Sequence, residues 1–293
     1  MSQTVYYSII KLVLCFGLIS PVSGKLLKPS VNGEEKEILL VASKRRIYYP
    51  VREEGIVYSL NGPMRLEFIA RYPVLKKKKK SHRFGYKVVL DQKDTININH
   101  RYKVQNRVRS VQHPKHRYTY SGNYFINLDK GNHQIEVLGD NKNKYPVLVR
   151  LIAKEFESVG KSKKILVPMI HQNAVSILTN KKKIDYFECN SNYDLQIQAR
   201  GSNTLRILSR LEFTDSMGPE ESYRIRVREG AKVVGTYYFN TERSSVSQVL
   251  NKPEVVPGKW RSCEIPVNKG EHTYTIEIPD KGKTVLTRYI VYK

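Results

Sequence analysis

The chain repeats itself over a long distance, and this repeat constrains its fold more than any other feature. The segment GPMRLEFIAR (62–71) aligns without a gap with GSNTLRILSR (201–210), at an offset of 139 residues. Three further segments keep the same order and nearly the same offset: INLDKGNH (126–133) with IPVNKGEH (265–272), VLVRLI (147–152) with VLTRYI (285–290), and YKVVL (86–90) with YRIRV (223–227). A period this long exceeds the roughly 20–50 residues of solenoid repeats, so it predicts a duplicated domain.

The repeated segments have the pattern of β-strands. Tyr223, Ile225 and Val227 alternate with arginines, as in a sheet with one buried face. Turn sequences such as Lys130-Gly131 and Lys269-Gly270 separate the segments, and no helical stripe is sustained. The sequence therefore predicts an all-β chain with two tandem antiparallel β-sandwich domains, of jelly-roll or immunoglobulin type, at 45–155 and 180–293. Residues 25–44 are predicted to be a lead-in segment, and 156–179 a linker with a lead-in strand.

The first 24 residues have the order of a secretory signal peptide. Lys11 precedes a short apolar run from Leu12 to Ile19, and the small residues Ser23 and Gly24 follow. The run is shorter than the roughly 20 residues of a membrane span. We therefore expect export to the periplasm or the extracellular space, and a mature chain without a transmembrane segment.

Cys189 and Cys263 are the two cysteines that remain after the predicted cleavage. In an oxidising compartment they could form a disulfide, or they could be two separate buried thiols. The sequence leaves both interpretations open, because spacing does not reveal geometry. It contains no CxxC motif that would indicate a zinc ribbon.

The chain is strongly basic, and the charge is uneven. The formal net charge is +24, from 51 basic and 27 acidic residues. Residues 25–155 hold 28 basic and 12 acidic residues, whereas residues 156–293 hold 22 and 15. A field of this sign attracts anionic partners. Outside the cytoplasm these would be anionic polysaccharide, lipid headgroups or extracellular nucleic acid.

The two copies differ most in their connections, where binding specificity usually lies. The segment LKKKKKSHR (75–83) corresponds to the acidic TDSMGPEES (214–222), so the fold itself does not require lysine there. The lysines are either a solvated loop or an anion-binding loop. The candidates are Lys76, Lys77, Lys78, Lys79 and Lys80.

A second basic segment spans residues 99–120. If it forms one strand, alternate residues from Arg101 to Arg109 share a face, and such a row of guanidinium groups can bind phosphate, sulfate or carboxylate. Its counterpart at 240–260 is far less basic. We therefore predict an anion-binding stripe formed by Arg101, Lys103, Arg107, Arg109, Lys115 and Arg117.

Polar residues that recur in both copies are predicted to support the fold. His133 and His272 occupy matching positions, as do Arg71 and Arg210. A duplicated residue is explained first by duplicated structure.

The sequence offers little support for catalysis, a cofactor or a metal. His100, His113 and His116 have no carboxylate or thiol close in sequence, and the common zinc, hydrolase and phosphate-loop motifs are absent. Trp260 could be a sugar platform, but the interpretation we prefer is a lid over the core.

Three acids could approach one another in space as a catalytic carboxylate pair: Glu188, Glu212 and Asp215. We expect them instead to be surface charges that balance Arg206 and Arg210.

The sequence favours an exported, non-enzymatic binding or scaffold protein of the cell envelope. Its first domain would bind an anionic polymer, and its second domain would be a scaffold or would dock an envelope protein. The alternatives are a polysaccharide-active enzyme or carbohydrate-binding module, which predicts a close carboxylate pair, and a structural subunit that self-assembles by its sheet edges.

Overall fold

The chain is all-β. The computed structural model describes residues 24–75, 80–156, 162–172 and 174–292. Within these ranges it forms strands joined by turns, which confirms the predicted fold class. None of the described residues belongs to a helix long and apolar enough to cross a bilayer. Several predicted features lie outside the described residues: the signal peptide apart from Gly24, residues 157–161 and 173 of the linker, and Lys76, Lys77, Lys78 and Lys79.

The N-terminal half (24–156) is a two-layer structure organised by one long strand pair. β4 is sixteen residues long and pairs antiparallel with β11 over most of its length, and the register shifts between Leu128 and Gly131. One end of this pair continues to β12, and the other end continues to β6 and β7, so the pair contributes to both layers. The strands are β1 (Lys25–Leu26), β2 (Glu37–Val41), β3 (Lys44–Val51), β4 (Ile56–Arg71), β5 (Pro73–Val74), β6 (His82–Leu90), β7 (Asp94–Tyr102), β8 (Val104–Gln105), β9 (Arg109–Ser110), β10 (Arg117–Thr119), β11 (Gly122–Gly139) and β12 (Val147–Lys154).

The C-terminal half (162–292) is built around an equivalent pair. β16 pairs antiparallel with β21, and the register shifts around Gly201. One end of the pair continues to β22, and the other end continues to β17 and β18. The strands are β13 (Lys163–Leu166), β14 (Ala174–Thr179), β15 (Lys182–Asn190), β16 (Leu195–Phe213), β17 (Glu220–Glu229), β18 (Lys232–Glu242), β19 (Ser247–Val249), β20 (Val256–Pro257), β21 (Arg261–Glu277) and β22 (Thr284–Tyr292).

Each half has its own apolar core, formed by the alternate residues of these strands. In β4 the inward side chains include Leu66, Phe68 and Ala70, and in β16 they include Leu205 and Ile207. The pairing of Gly62 with Gly131 recurs as Gly201 with Gly270, at the predicted offset. This recurrence supports the duplication, which stays a prediction, as do the domain boundaries. The boundary at 44/45 falls one residue inside β3, after the β2–β3 turn, and the boundary at 179/180 falls at the turn of the β14–β15 hairpin.

The duplicated polar residues bind within the scaffold of each half. Arg71 donates to the Thr119 carbonyl at 2.7 Å, and Arg210 donates to the Gly258 carbonyl at 2.8 Å. His133 contacts Asp91 at 2.7 Å, and His272 contacts Glu229 at 2.6 Å. These contacts agree with the interpretation that the shared polar residues serve the shared fold.

The two halves are joined by direct strand pairing as well as by the chain between them. Residues 124–126 of β11 pair in parallel with residues 236–238 of β18. Phe125 stacks on Tyr237 with ring centroids 4.6 Å apart, and Arg65 bonds Glu264 at 2.7 Å, both side chains being buried. Sequence reasoning predicted a linker and missed this joint.

Cys189 and Cys263 are both buried free thiols. Of the two interpretations, the structure therefore rejects the disulfide. Cys189 lies on β15 and Cys263 on β21, and both β22 and β16 stand between these strands in the sheet. Three strand spacings are about 14 Å, well beyond the Cα separation of about 7 Å that a disulfide can span. Burial raises the pKa of Cys189 to about 12, so this thiol is un-ionised at neutral pH.

Candidate anion-binding site

A basic cleft of about 620 Å³ opens at one end of the N-terminal half. Its lining comes from β5 and the residues beside it, from the start of β6 and the residue before it, from the end of β7 and from the turn before β12. It includes aromatic and cationic side chains but no carboxylate. Residues 72–75, 81–83, 101 and 144–145 form this basic cleft.

Two guanidinium groups stand side by side in the basic cleft. Arg83 on β6 and Arg101 on β7 are directly opposite each other in the antiparallel register, and both are exposed. Directly opposite residues of a strand pair extend on the same face with Cβ atoms about 5 Å apart, so the two like charges repel. Among the described residues, no carboxylate forms an ion pair with either arginine. A bound anion would relieve this repulsion.

The other cation and the aromatic rings of the cleft are held in place by contacts within the half. The Lys144 ammonium lies 5.7 Å from the centroid of the Tyr145 ring. The Tyr145 amide donates to the Tyr72 hydroxyl at 3.3 Å, and the Tyr72 ring stacks on Phe84 at 5.6 Å. Burial raises the pKa of Tyr72, so its phenol stays neutral and adds no negative charge to the cleft.

Only some of the residues predicted for anion binding lie at this cleft. Arg101 lines it, the exposed Lys80 adjoins Ser81, and Arg117 on β10 is opposite Val74. Lys103, Arg107 and Lys115 are exposed but do not line it. Arg109 donates to the backbone carbonyls of Asn106 and Val108, a contact that stabilises a turn.

The predicted single-strand stripe is wrong. β7 ends at Tyr102, β8 joins β10 in a separate small sheet, and β9 pairs with β2. The chain leaves β7 to cross the outer face of the main sheet, where Val108 and Tyr118 are buried with Leu148. Gln105 turns inward to accept a bond from the buried Arg71 at 2.7 Å, so it does not share a face with Arg101.

Sequence reasoning missed Arg83, Lys144 and the two tyrosines of the cleft. Arg83 is the last residue of the segment LKKKKKSHR, in which only the lysines were predicted to bind an anion. The offset of 139 offered a signal, because it aligns Arg83 with Ser222 and Arg101 with Asn240. The structure supports this correspondence, because Val88 lies opposite Val137 as Val227 lies opposite Ile276, at the same offset of 139. The segment 86–90 therefore matches 225–229 in the structure, two residues away from the alignment with 223–227.

The histidines considered as metal ligands have other contacts. His100 is buried against Phe84 and Tyr102, and burial, with the charge of Arg226 adding to it, lowers its pKa to about 4. His113 contacts Glu37 at 2.9 Å and stacks on His116. In the part of the chain that the structure describes, no group of three metal-binding side chains comes together.

Two of the three acids considered as a catalytic pair do meet, and they are not the surface charges that we expected. Glu212 is buried, and Glu188 and Glu212 both form ion pairs with the ammonium of Lys252. Arg206 pairs with Glu264 instead, and Arg210 binds the Gly258 carbonyl. Glu188 and Lys252 line a second cleft, of about 560 Å³, whereas Asp215 stays on an exposed turn.

Comparisons with known proteins leave the chain without a family. No protein-family model matches it, and a search of curated protein sequences finds no relative. Among solved structures, it is similar to the CBM22-1-CBM22-2 tandem domain of Paenibacillus barcinonensis Xyn10C, at 12% identity and a TM-score of 0.22, covering 94% of this chain and 99% of that one.

Two further solved structures are similar over part of their length. Latent PorU from Porphyromonas gingivalis is 12% identical with a TM-score of 0.25, covering 79% of this chain and 24% of that one. PNGF-II is 7% identical with a TM-score of 0.25, covering 81% and 60%. At such identities and TM-scores, these likenesses carry no inference about ligand or activity.

Proposed function

We propose that the protein is an exported, non-enzymatic binding protein of the cell envelope, and that its N-terminal half binds an anionic polysaccharide in the basic cleft. The observation that carries the proposal is the Arg83–Arg101 pair, two exposed like charges opposite each other in the register. Guanidinium groups bind carboxylate and sulfate through paired hydrogen bonds. Arg101 also donates to the Ser81 hydroxyl at 3.0 Å, but no carboxylate among the described residues offsets the two charges, so an anion bound here would be stabilising.

A single polysaccharide chain suits the cleft better than a lipid surface or duplex nucleic acid. The cleft is concave, and it combines cations with the half-buried ring of Tyr145, whereas Tyr72 is buried against Phe84 and offers mainly its hydroxyl end. Sugar rings have an apolar face that packs on an aromatic ring, together with acidic substituents that guanidinium groups bind. A bilayer surface is flat and would contact the rim of the cleft rather than its floor.

The test is binding to heparin, alginate, duplex DNA and anionic lipid vesicles across a salt series. We expect the two polysaccharides to bind, with affinity that falls steeply with salt as counterions are released. Arg83→Ser with Arg101→Asn, which introduces the residues of the other half, should weaken this binding by about 10- to 100-fold, the value of one or two charge-assisted hydrogen bonds.

The matched control removes two charges elsewhere. Lys232→Ser with Lys269→Asn changes exposed hairpin positions of the C-terminal half and should leave the affinity nearly unchanged. Equal losses in both double variants would show that only net charge matters. Preferential binding of DNA or vesicles would replace polysaccharide as the ligand.

Polysaccharide hydrolysis is a second candidate function, favoured by the meeting of Glu188 and Glu212 beside a cleft. Glycoside hydrolysis uses two carboxylates, one as an acid and one as a base or nucleophile. Here Lys252 lies between them, which favours a structural ion pair. A reducing-end assay on the polysaccharides named above tests this candidate. Hydrolysis by the wild-type protein that is lost in Glu188→Gln and in Glu212→Gln would establish that the protein is an enzyme.

A further inference from the structure

Trp260 is the chain's only tryptophan, and the structure does not bury it as a lid over the core. It lies between β20 and β21, and its side chain is 52% exposed. A single exposed apolar residue is ordinary on a protein surface. Two further features set this one apart, namely the rigidity of its support and a second ring supported in the same way.

The backbone around Trp260 is fixed on both sides. The Gly258 carbonyl accepts from Arg210 at 2.8 Å, and the Lys259 carbonyl accepts from Thr241 at 2.8 Å. On the other side, the side chain of Arg261 donates to the Asn240 carbonyl at 2.7 Å and so anchors the residue that follows Trp260. The indole is therefore presented to solvent from a rigid segment, so that binding there would cost little ordering entropy.

One buried carboxylate holds the supports of two exposed rings. Glu264 is only 4% exposed in its side chain, and it pairs with Arg206 at 3.0 Å and with Arg65 at 2.7 Å. The Arg206 guanidinium lies 5.8 Å from the Trp260 ring centroid, and the Arg65 guanidinium lies 5.5 Å from that of Phe156. Phe156 is 45% exposed. Each half therefore contributes one aromatic ring, and each ring is backed by one of these two arginines.

We infer that Trp260 and Phe156 form an aromatic platform on which pyranose rings of a polysaccharide chain stack. The arginines occupy one side of each ring, and the exposed part of each ring is free to pack against the apolar face of a sugar. Around Trp260 the polar groups of Lys259, Glu242 and Arg261 can bind hydroxyl groups. This inference rests on the proposed function for its ligand class, and it adds a second contact surface in the chain.

The platform differs from the basic cleft in what it selects. Lys259 is neutralised by Glu242 at 2.6 Å, and Glu264 offsets one of the two arginine charges behind the rings. The stacking contact itself is apolar, so the platform accepts neutral sugars as well as anionic ones. A protein partner fits less well, because a stable protein interface buries about 1,000 Å² or more, and two rings within a charged rim provide far less apolar surface.

The single tryptophan allows a direct test, because the intrinsic tryptophan fluorescence of the full chain comes from Trp260 alone. The probes are laminarin and xylan as neutral polysaccharides, and heparin and alginate as anionic ones. We expect at least one neutral probe to shift the emission and to protect Trp260 from acrylamide quenching. The Arg83→Ser, Arg101→Asn variant should show the same response to that probe.

The outcomes separate the two proposals. If the anionic probes bind through Arg83 and Arg101 while Trp260 responds to none of the four, the platform is overturned and the proposed function stands. If Trp260 responds to a neutral probe while binding of the anions is independent of the two arginines, the proposed function is overturned. If no probe binds and none changes the fluorescence of Trp260, both the platform and the proposed function are overturned.

Variants then measure the contribution of the rings. Trp260→Ala should lower the affinity for the responding probe about tenfold, as expected for a dominant aromatic contact, and Phe156→Ala should lower it less. Trp260→Phe keeps a ring and should retain most of the affinity. Tyr193→Ala removes a ring of similar exposure, 51%, away from the platform and is the control. Unchanged affinity in Trp260→Ala would overturn the platform.

Discussion

The two halves place opposite chemistry at one position of the same strand pair. In the N-terminal half, Arg83 faces Arg101, whereas in the C-terminal half Ser222 faces Asn240. The nearby lysines differ in the same way, since Lys144 has no carboxylate partner among the described residues whereas Lys283 binds Glu221 at 2.8 Å. At this place the N-terminal half therefore carries positive charges without carboxylate partners among the described residues. The C-terminal half has uncharged residues at two of the three positions and an ion pair at the third. A fold that is equally complete with serine and asparagine does not need the arginine pair for its stability.

The outer edge of the same strands differs as well. In the C-terminal half, β18 is covered by β11, and Thr236, Tyr237 and Tyr238 lie in this pairing. In the N-terminal half, β7 is paired through β6, and its described pairings include no partner on the other edge. The cleft thus lies at an open edge of one half, while the equivalent edge of the other half forms the joint between them.

The joint gives the largest expected effect. Glu264→Ala would leave Arg65 and Arg206 without their shared carboxylate, and Arg65 is buried. Breaking a buried ion pair in this way typically costs about 3–5 kcal/mol. We expect urea unfolding to show that the free energy of unfolding falls by about this amount. The two arginines beside Trp260 and Phe156 would lose their fixed position at the same time.

A double variant separates the missing charge from the missing packing. Arg65→Met with Glu264→Leu replaces both partners by apolar groups, and it should recover much of the stability lost in Glu264→Ala. The exposed Glu242→Ala, which breaks the pair with Lys259, is the control and should change the stability little. A small effect of Glu264→Ala would mean that the two halves are not held together through this contact.

The arginine pair gives a smaller effect of the opposite sign. Arg83→Ser with Arg101→Asn removes a like-charge repulsion across the strands, so the ligand-free protein should become more stable by about 0.5 kcal/mol, even as anion binding is lost. Thermal unfolding at low and high salt measures this change, which salt should reduce by screening. A loss of stability would show that the arginines support the fold, and the comparison between the halves would then fail.

The sequence predicts the layers well and the contacts between distant segments poorly. Alternation in segments such as 64–70 identifies Leu66 and Phe68 as core residues, because the side-chain period of a strand is two. Local alternation could not reveal that residues 104–119 leave their sheet, because the inward turn depends on Arg71, which lies more than thirty residues away in sequence. The Arg65–Glu264 pair joins residues 199 apart, and no local pattern marks it.

The candidate site shows the same division. The charge excess of the N-terminal half and Arg101 could be predicted, because composition and the repeat are properties of the sequence. The repeat marked Arg83 as a difference between the halves, but it could not show that Arg83 lies opposite Arg101, because strand register decides that. Trp260 was misjudged for a similar reason, since its exposure depends on Arg206 and on the turn that holds its backbone.

The smallest expected effect concerns the two histidines that the halves share. Burial lowers the pKa of His133, but its bonds with Asp91 and the Asp129 carbonyl outweigh this, so the pKa is raised. The bond with Glu229 raises the pKa of His272. A raised folded-state pKa gives stability that is fully present below the unfolded value, about 6.5, and is lost as the pH rises through the folded value.

His133→Gln and His272→Gln should therefore lower the unfolding temperature at about pH 5.5 more than at about pH 8.5. Each should do so by a similar small amount, because the contacts are equivalent. His116→Gln, whose ring stacks on His113, is the control. A pH dependence in one variant only would show that the halves do not use the shared histidine in the same way.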